Sequence, residues 1–242
     1  MRNKFIFGDL STDDFSMKIE RFPTQIGPVR KRQDISVLGR NGTLHYQENA
    51  FENYIQPYKC YFHGKHPTPQ QAHAIKAWLM HSGAYQRLQD TYDPEHYRMA
   101  TFVGPLDVEN ILNKYGRCVI NFDCAPQSFL VSGDTPIRYK VSGSVIHNPT
   151  LFPAKPLIRV YGARAGTVTV GNATVRILDL VDPLILDCDL QDAYRQGVDG
   201  VPENHNANIS APVFPELLPG DNPVSFTGGV SHLEIIPRWW EL

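Results

Sequence analysis

Four histidines, His63, His66, His73 and His81, stand close together, and His63-x-x-His66 has a spacing at which two imidazoles can share a metal ion. No cysteine or carboxylate stands at ligand spacing to complete such a set. His66 precedes Pro67, so these are read as surface or cap-side histidines and no metal is expected. Asp187 and Asp189 fall on one strand face and Asp9, Asp13 and Asp14 crowd the first residues, but neither group has a partner suited to general acid–base work, and the pair reads as the solvent face of a strand or the lining of a channel. The nucleophile-elbow, P-loop, zincin and dinucleotide-binding glycine patterns are all absent. The expectation is therefore a non-enzyme with no cofactor. Cys60, Cys118, Cys124 and Cys188 form no CxxC pair and read as buried free thiols.

Charge narrows the classes further. A net charge of −2 over 242 residues provides no global field to hold nucleic acid or an anionic membrane. The basic run Val29-Arg30-Lys31-Arg32 is too short for a nucleic-acid stripe and reads as an exposed strand end or inter-subunit contact. No window approaches the roughly 18 apolar residues of a membrane helix, and Met1 to Leu10 lacks the apolar core of a secretory signal, so folding in a cytoplasm is expected. Trp239 and Trp240 are adjacent and in a strand would point to opposite faces. One would fill a core, and the other would serve a protein interface or stack on a sugar.

The elements that would position these residues are mostly strands. Eighteen glycines and nineteen prolines spread along the whole chain disfavour an all-helical fold. Ile35 and Val37, then Leu44 and Tyr46, alternate around Gly39-Arg40-Asn41-Gly42, where Asn41-Gly42 is a tight-turn signal. Tyr54, Tyr58, Cys60 and Phe62 follow at period two, with Gln56 the polar member of that face. One helix is expected over 69–82, capped by Thr68, started by Pro69, completed by a capping box through Gln71 and stopped by a left-handed Gly83. Its stripe of Ala72, Ile75, Trp78 and Leu79 needs a sheet to lie on. Burial of the last three would contribute on the order of 6 kcal/mol before entropy. Strands are expected at 97–103 and 117–124, closed by Pro126, and a domain boundary near Leu130. Later strands are expected at 157–161, 167–170, 174–178, 184–189 and 230–237, a spacing that suggests a sandwich. The fold class is thus mainly β: a β-barrel or sandwich with one packed helix over 1–130, then a β-sandwich over 131–242.

Taken in order along the chain, several segments together resemble the siphophage distal tail protein family. In the first half these are Val37-Leu-Gly-Arg-Asn-Gly-Thr-Leu44, the Tyr54 strand, and Val119-Ile-Asn-Phe-Asp-Cys-Ala-Pro126 running to Phe129-Leu130. In the second they are Asn148-Pro149, Pro153-Ala-Lys-Pro156, Ile158-Arg-Val-Tyr-Gly162, Leu186-Asp187, Phe214-Pro-Glu-Leu217, Pro219-Gly-Asp-Asn222 and Ile235-Ile-Pro-Arg-Trp239. The resemblance implies an N-terminal ring-forming domain and a C-terminal galectin-like β-sandwich. It also implies a structural virion protein of the bacteriophage tail tip or baseplate, assembled in the host cytoplasm. The ring would be a hexamer between the tail tube and a hub or receptor-binding apparatus, with DNA passing through its channel without specific binding.

A closed ring needs two different complementary faces on each subunit. The expected element is the hairpin region from Asp34 to Phe62, because its aromatic strands exceed what one small core needs. Tyr54, Tyr58 and Phe62 are the candidate subunit-interface residues, and Trp239 and Trp240 the candidate partner or glycan contacts. The competing functions are a carbohydrate-binding module for host-surface adsorption and a cell-wall hydrolase of unfamiliar type.

Overall fold

The computed structural model describes residues 3–63, 68–111, 115–211 and 213–242. It is mainly β, as expected, and divides into two compact units, Met1–Ser128 with Leu242, and Phe129–Glu241. Among the described residues no helix is long and apolar enough to cross a membrane.

The first unit is built on a sheet whose strands run in the order Leu10–Ser11, Phe5–Phe7, Gln86–Asp90, His96–Phe102, Tyr115–Leu130, Tyr54–His63 and Met17–Ile19, with Val108–Ile111 also paired to Tyr115–Leu130. The Tyr54–His63 strand is antiparallel to Tyr115–Leu130, with Tyr58 opposite Ile120 and Cys60 opposite Cys118. Alternation then sends the whole period-two face inward. Onto it packs the helix Thr68–Met80, whose Ile75, Trp78 and Leu79 join Phe5, Phe7, Tyr58 and Phe122 in one core. The Trp78 ring stacks on Phe15 at 4.7 Å, and its Nε1–H donates to the Phe7 carbonyl at 3.3 Å.

Both ends of the helix differ from the expectation. Gln71 donates its amide to the Phe15 carbonyl rather than closing a capping box, so it ties the first turn to the preceding 3-10 turn, Thr12–Phe15. The helix ends at Met80 and Gly83 has no left-handed φ. His81 satisfies the terminus instead, with Nδ1–H donating to the Trp78 carbonyl at 2.9 Å.

The second unit is a sandwich made from one continuous sheet that turns a corner. Two long strands, Leu157–Val170 and Gly220–Ile236, pair from Leu157 opposite Ile236 to Val170 opposite Val224, with shifts in register between Tyr161 and Gly166. Before the shift, Leu157–Val160 also pairs with Leu184–Asp187; beyond it, Gly166–Val170 pairs with Ala173–Ile177. Each long strand therefore serves both layers, which pack Ile158, Val160, Val168, Leu186, Leu233 and Ile235 between them. At the bend the two backbones approach too closely for side chains. A Cβ on Gly162 would collide with the Gly229 carbonyl, and one on Gly229 would lie 2.5 Å from Arg164 Cβ. Separate strands are expected from the sequence at 157–161 and 167–170; the structure has one strand that bends at Gly162–Gly166 and continues. Pro126 likewise lies inside Tyr115–Leu130 and does not end it.

Two buried amides close the far end of the sandwich. Asn148 donates to the Phe152 and Leu217 carbonyls, both at 2.9 Å, while its Oδ1 accepts from the Thr150 N–H and hydroxyl, both at 2.9 Å. Asn222 does the same for the turn before it, donating to Leu218 and Gly220 carbonyls at 2.7 and 2.9 Å. Asn148→Ala leaves the buried Thr150 N–H without its acceptor and takes one donor from each of the Phe152 and Leu217 carbonyls, which keep the Thr150 hydroxyl and the Ala154 N–H, so a loss of about 1–3 kcal/mol from this unit is expected. Urea denaturation followed by near-UV circular dichroism measures it; an unchanged midpoint would show that the amide merely occupies space.

Candidate assembly interface

The strands Arg30–Ser36 and Thr43–Phe51 form a separate two-stranded ribbon, and among the described residues no third strand pairs with it. Its six-residue loop, 37–42, carries left-handed glycines at Gly39 and Gly42, so the turn is wider than the two-residue one that Asn41-Gly42 suggested. Register sorts the side chains into two faces. Ser36 opposes Thr43, Asp34 opposes His45 and Arg32 opposes Gln47 on one; Ile35 opposes Leu44 and Gln33 opposes Tyr46 on the other.

The polar face is internally paired: His45 Nδ1 lies 2.6 Å from Asp34 Oδ1 and Arg32 Nε 3.6 Å from the same oxygen. The hydrogen bond from His45 holds the Asp34 carboxyl below its ordinary value. Among the described residues the apolar face joins no core cluster, with Ile35 48%, Leu44 40% and Tyr46 62% exposed. At the root, the Arg30 guanidinium sits 4.6 Å from the centre of the Phe51 ring. A ribbon of two strands alone is marginally stable in water.

Tyr54, Tyr58 and Phe62 belong elsewhere. They lie in the core of their own unit, Tyr58 and Phe62 with no exposed surface, and have no face to offer another subunit. This corrects their reading as interface residues: a period-two aromatic face looks the same whether its own helix or a neighbour covers it. Tyr58 O–H donates to Asp90 Oδ2 at 2.7 Å, while Asp90 Oδ1 accepts the N–H groups of Tyr92 and Asp93. Arg98 lies 3.9 Å from Asp90. Burial pushes the Tyr54 hydroxyl up to about 12.

Fold comparison decides what this arrangement is. The sequence matches no protein-family model and no curated protein. The structure matches the crystal structure of the phage SPP1 Dit protein with a TM-score of 0.73, covering 99% of each chain at 10% identity. The chain has the distal tail protein fold. SPP1 Dit is described as a paradigm of the hub adsorption apparatus in phages that infect Gram-positive bacteria. At this identity the likeness is one of fold, and it spans both units of the Dit-like chain.

The remaining candidates in this Dit-like fold sort by burial. Trp239 is in the core of the second unit. Trp240 is half-buried, stacked on Phe152 at 4.5 Å, and donates Nε1–H to the Pro153 carbonyl at 2.9 Å. Beside Phe152, Leu151 is almost fully exposed. Asp187 and Asp189 are not an equivalent solvent-facing pair. Asp187 is buried and holds Arg238 through two bonds of 2.8 and 2.9 Å, whereas Asp189 reaches Lys155 at the surface. His73 and His81 are exposed, His66 lies outside the described residues, and among those residues no three metal-binding side chains converge.

Burial alone would raise the Asp187 carboxyl, but the Arg238 bonds and charge outweigh it and hold the pKa below the ordinary value. A depressed folded pKa contributes stability that is fully present above the unfolded value of about 3.9 and is lost as pH falls through the folded value. Thermal denaturation across a pH series is expected to show wild type above Asp187→Asn at neutral pH and the gap closing below about pH 4. A gap independent of pH would remove the ion pair as its cause.

Proposed function

We propose that this chain is a structural subunit of a phage tail, a distal tail protein whose copies form a hexameric ring joining the tail tube to the tip and its host-recognition apparatus. The observation that carries this reading is the match to SPP1 Dit over the whole of both chains. In this reading the first unit builds the ring and the second decorates it. The Arg30–Phe51 ribbon is the element that reaches the next subunit, because its apolar row is exposed and, among the described residues, no third strand pairs with it. Tail tube and hub proteins are the neighbours on either side, and DNA passes through the channel without specific contacts. Trp240, Phe152 and Leu151 supply a small aromatic edge for a tail partner.

Negative-stain imaging of the purified protein, with light scattering on the same sample, tests the proposal. Six-fold rings with a central hole are the expected result. A protein that stays monomeric at high concentration and also fails to enter rings when its tail-tube partner is added would overturn it.

A further inference from the structure

The register of the first unit sets Cys118 directly opposite Cys60 on neighbouring antiparallel strands. Both side chains turn into the core, 5% and 1% exposed. Directly opposed residues in such a pair hold their Cα atoms about 4.5 or 5.5 Å apart. Either separation falls within the roughly 4.4–6.8 Å that a disulfide spans. The other two cysteines are placed differently: Cys124 stands opposite Tyr54, and Cys188 belongs to the second unit. All four are thiols in the structure.

We propose that Cys60 and Cys118 are a latent cross-strand disulfide that forms when the protein meets a small-molecule disulfide such as oxidised glutathione. One cysteine thiolate attacks the glutathione disulfide, forming a mixed disulfide and releasing one glutathione thiolate. The second cysteine thiolate then attacks the protein sulfur of that mixed disulfide, forming the Cys60–Cys118 bond and releasing the second glutathione. Two thiols lose two protons and two electrons in all, and one glutathione disulfide is reduced. Burial and the neighbouring Cys118 push the Cys60 thiol well above its ordinary value, and burial pushes Cys118 up to about 12. Few thiolates therefore form in the native state, and oxidation proceeds through openings of the sheet or during folding. Once made, the bond fixes the register of these two neighbouring strands. The inference stands on strand register and does not depend on ring formation.

The test uses the full chain in two arms, native protein held with oxidised glutathione and urea-unfolded protein refolded in a glutathione redox buffer. Free thiols are then alkylated under denaturing conditions and peptides mapped by mass spectrometry. The expected product has Cys60 linked to Cys118, Cys124 and Cys188 alkylated, and a mass lower by two hydrogens that dithiothreitol restores. Cys124→Ser should keep the link and Cys118→Ser should lose it. A link in either arm supports the proposal. Four alkylated thiols in both arms, or links through Cys124 or Cys188, overturn it. The oxidised form should also show a higher denaturation midpoint for the first unit than the reduced form.

Discussion

Lysine in place of Ile35 and Tyr46 is expected to leave the protein folded and unassembled. Both side chains are exposed on the ribbon and neither belongs to a core cluster of its own chain. Their replacement should therefore move monomer stability by no more than about 0.5 kcal/mol. In an assembled ring the same positions would be covered. Losing their burial would remove about 3–5 kcal/mol from each contact, a weakening on the order of a hundredfold to several thousandfold. Placing two ammonium groups where apolar surface was covered would add a desolvation cost to that. Light scattering reports the assembly and thermal denaturation the fold. Assembly equal to wild type would rule out the ribbon face as the contact. Substitution at Tyr58 cannot make this distinction, because Tyr58 is inside its own unit and its loss would unfold what it was meant to probe.

The corner of the second unit should be equally intolerant, for a different reason. Gly162→Val puts a branched side chain against the Gly229 carbonyl, the Leu180 side chain and the Val230 backbone. No rotamer escapes a backbone collision, so a loss beyond about 4 kcal/mol and failure of this unit to fold are expected. Gly200→Ala is the comparison. Gly200 is left-handed but faces open space, so only backbone strain of about 1–2 kcal/mol should follow. Tryptophan fluorescence separates the units, since Trp78 reports on the first and Trp239 and Trp240 on the second. A Gly162→Val protein that keeps the wild-type Trp239 and Trp240 transition would show that the corner can open.

Local pattern was legible wherever one element covers another in the simplest way. The Ile75, Trp78 and Leu79 stripe, the inward face of Tyr54–His63 and the ribbon around Gly39–Gly42 all follow from spacing alone. What escaped depends on distant partners. Asp187 meets Arg238 across 51 positions, and that pairing makes it a buried ion-pair member rather than a wet strand face. Glycines at 162 and 166 read as a stop because a local reading cannot see Gly228 and Gly229 arriving to share the bend. The burial of Tyr54, Tyr58 and Phe62 inside their own unit has a similar reason. Aromatic residues at period two announce that a face is buried, and nothing local says by whom. The proposed contact has its own local signal, the alternation of Ile35, Leu44 and Tyr46 on a ribbon that, among the described residues, no third strand pairs with.

The two bent strands also fix an order of events at the ribosome. Leu157 pairs with Ile236 and Val170 with Val224, so the centre of the second sheet joins residues 79 and 54 positions apart. Neither layer can close until residue 236 has left the exit tunnel, although most of its other strands are made well before then. The first unit, which lies within the first 128 residues but for Leu242, can begin to fold while the second is still being synthesised. For that interval the nascent chain carries a run of unpaired, strongly apolar strands, and contacts this distant in sequence close slowly. Chaperone dependence during synthesis should therefore be concentrated in the second half of the chain.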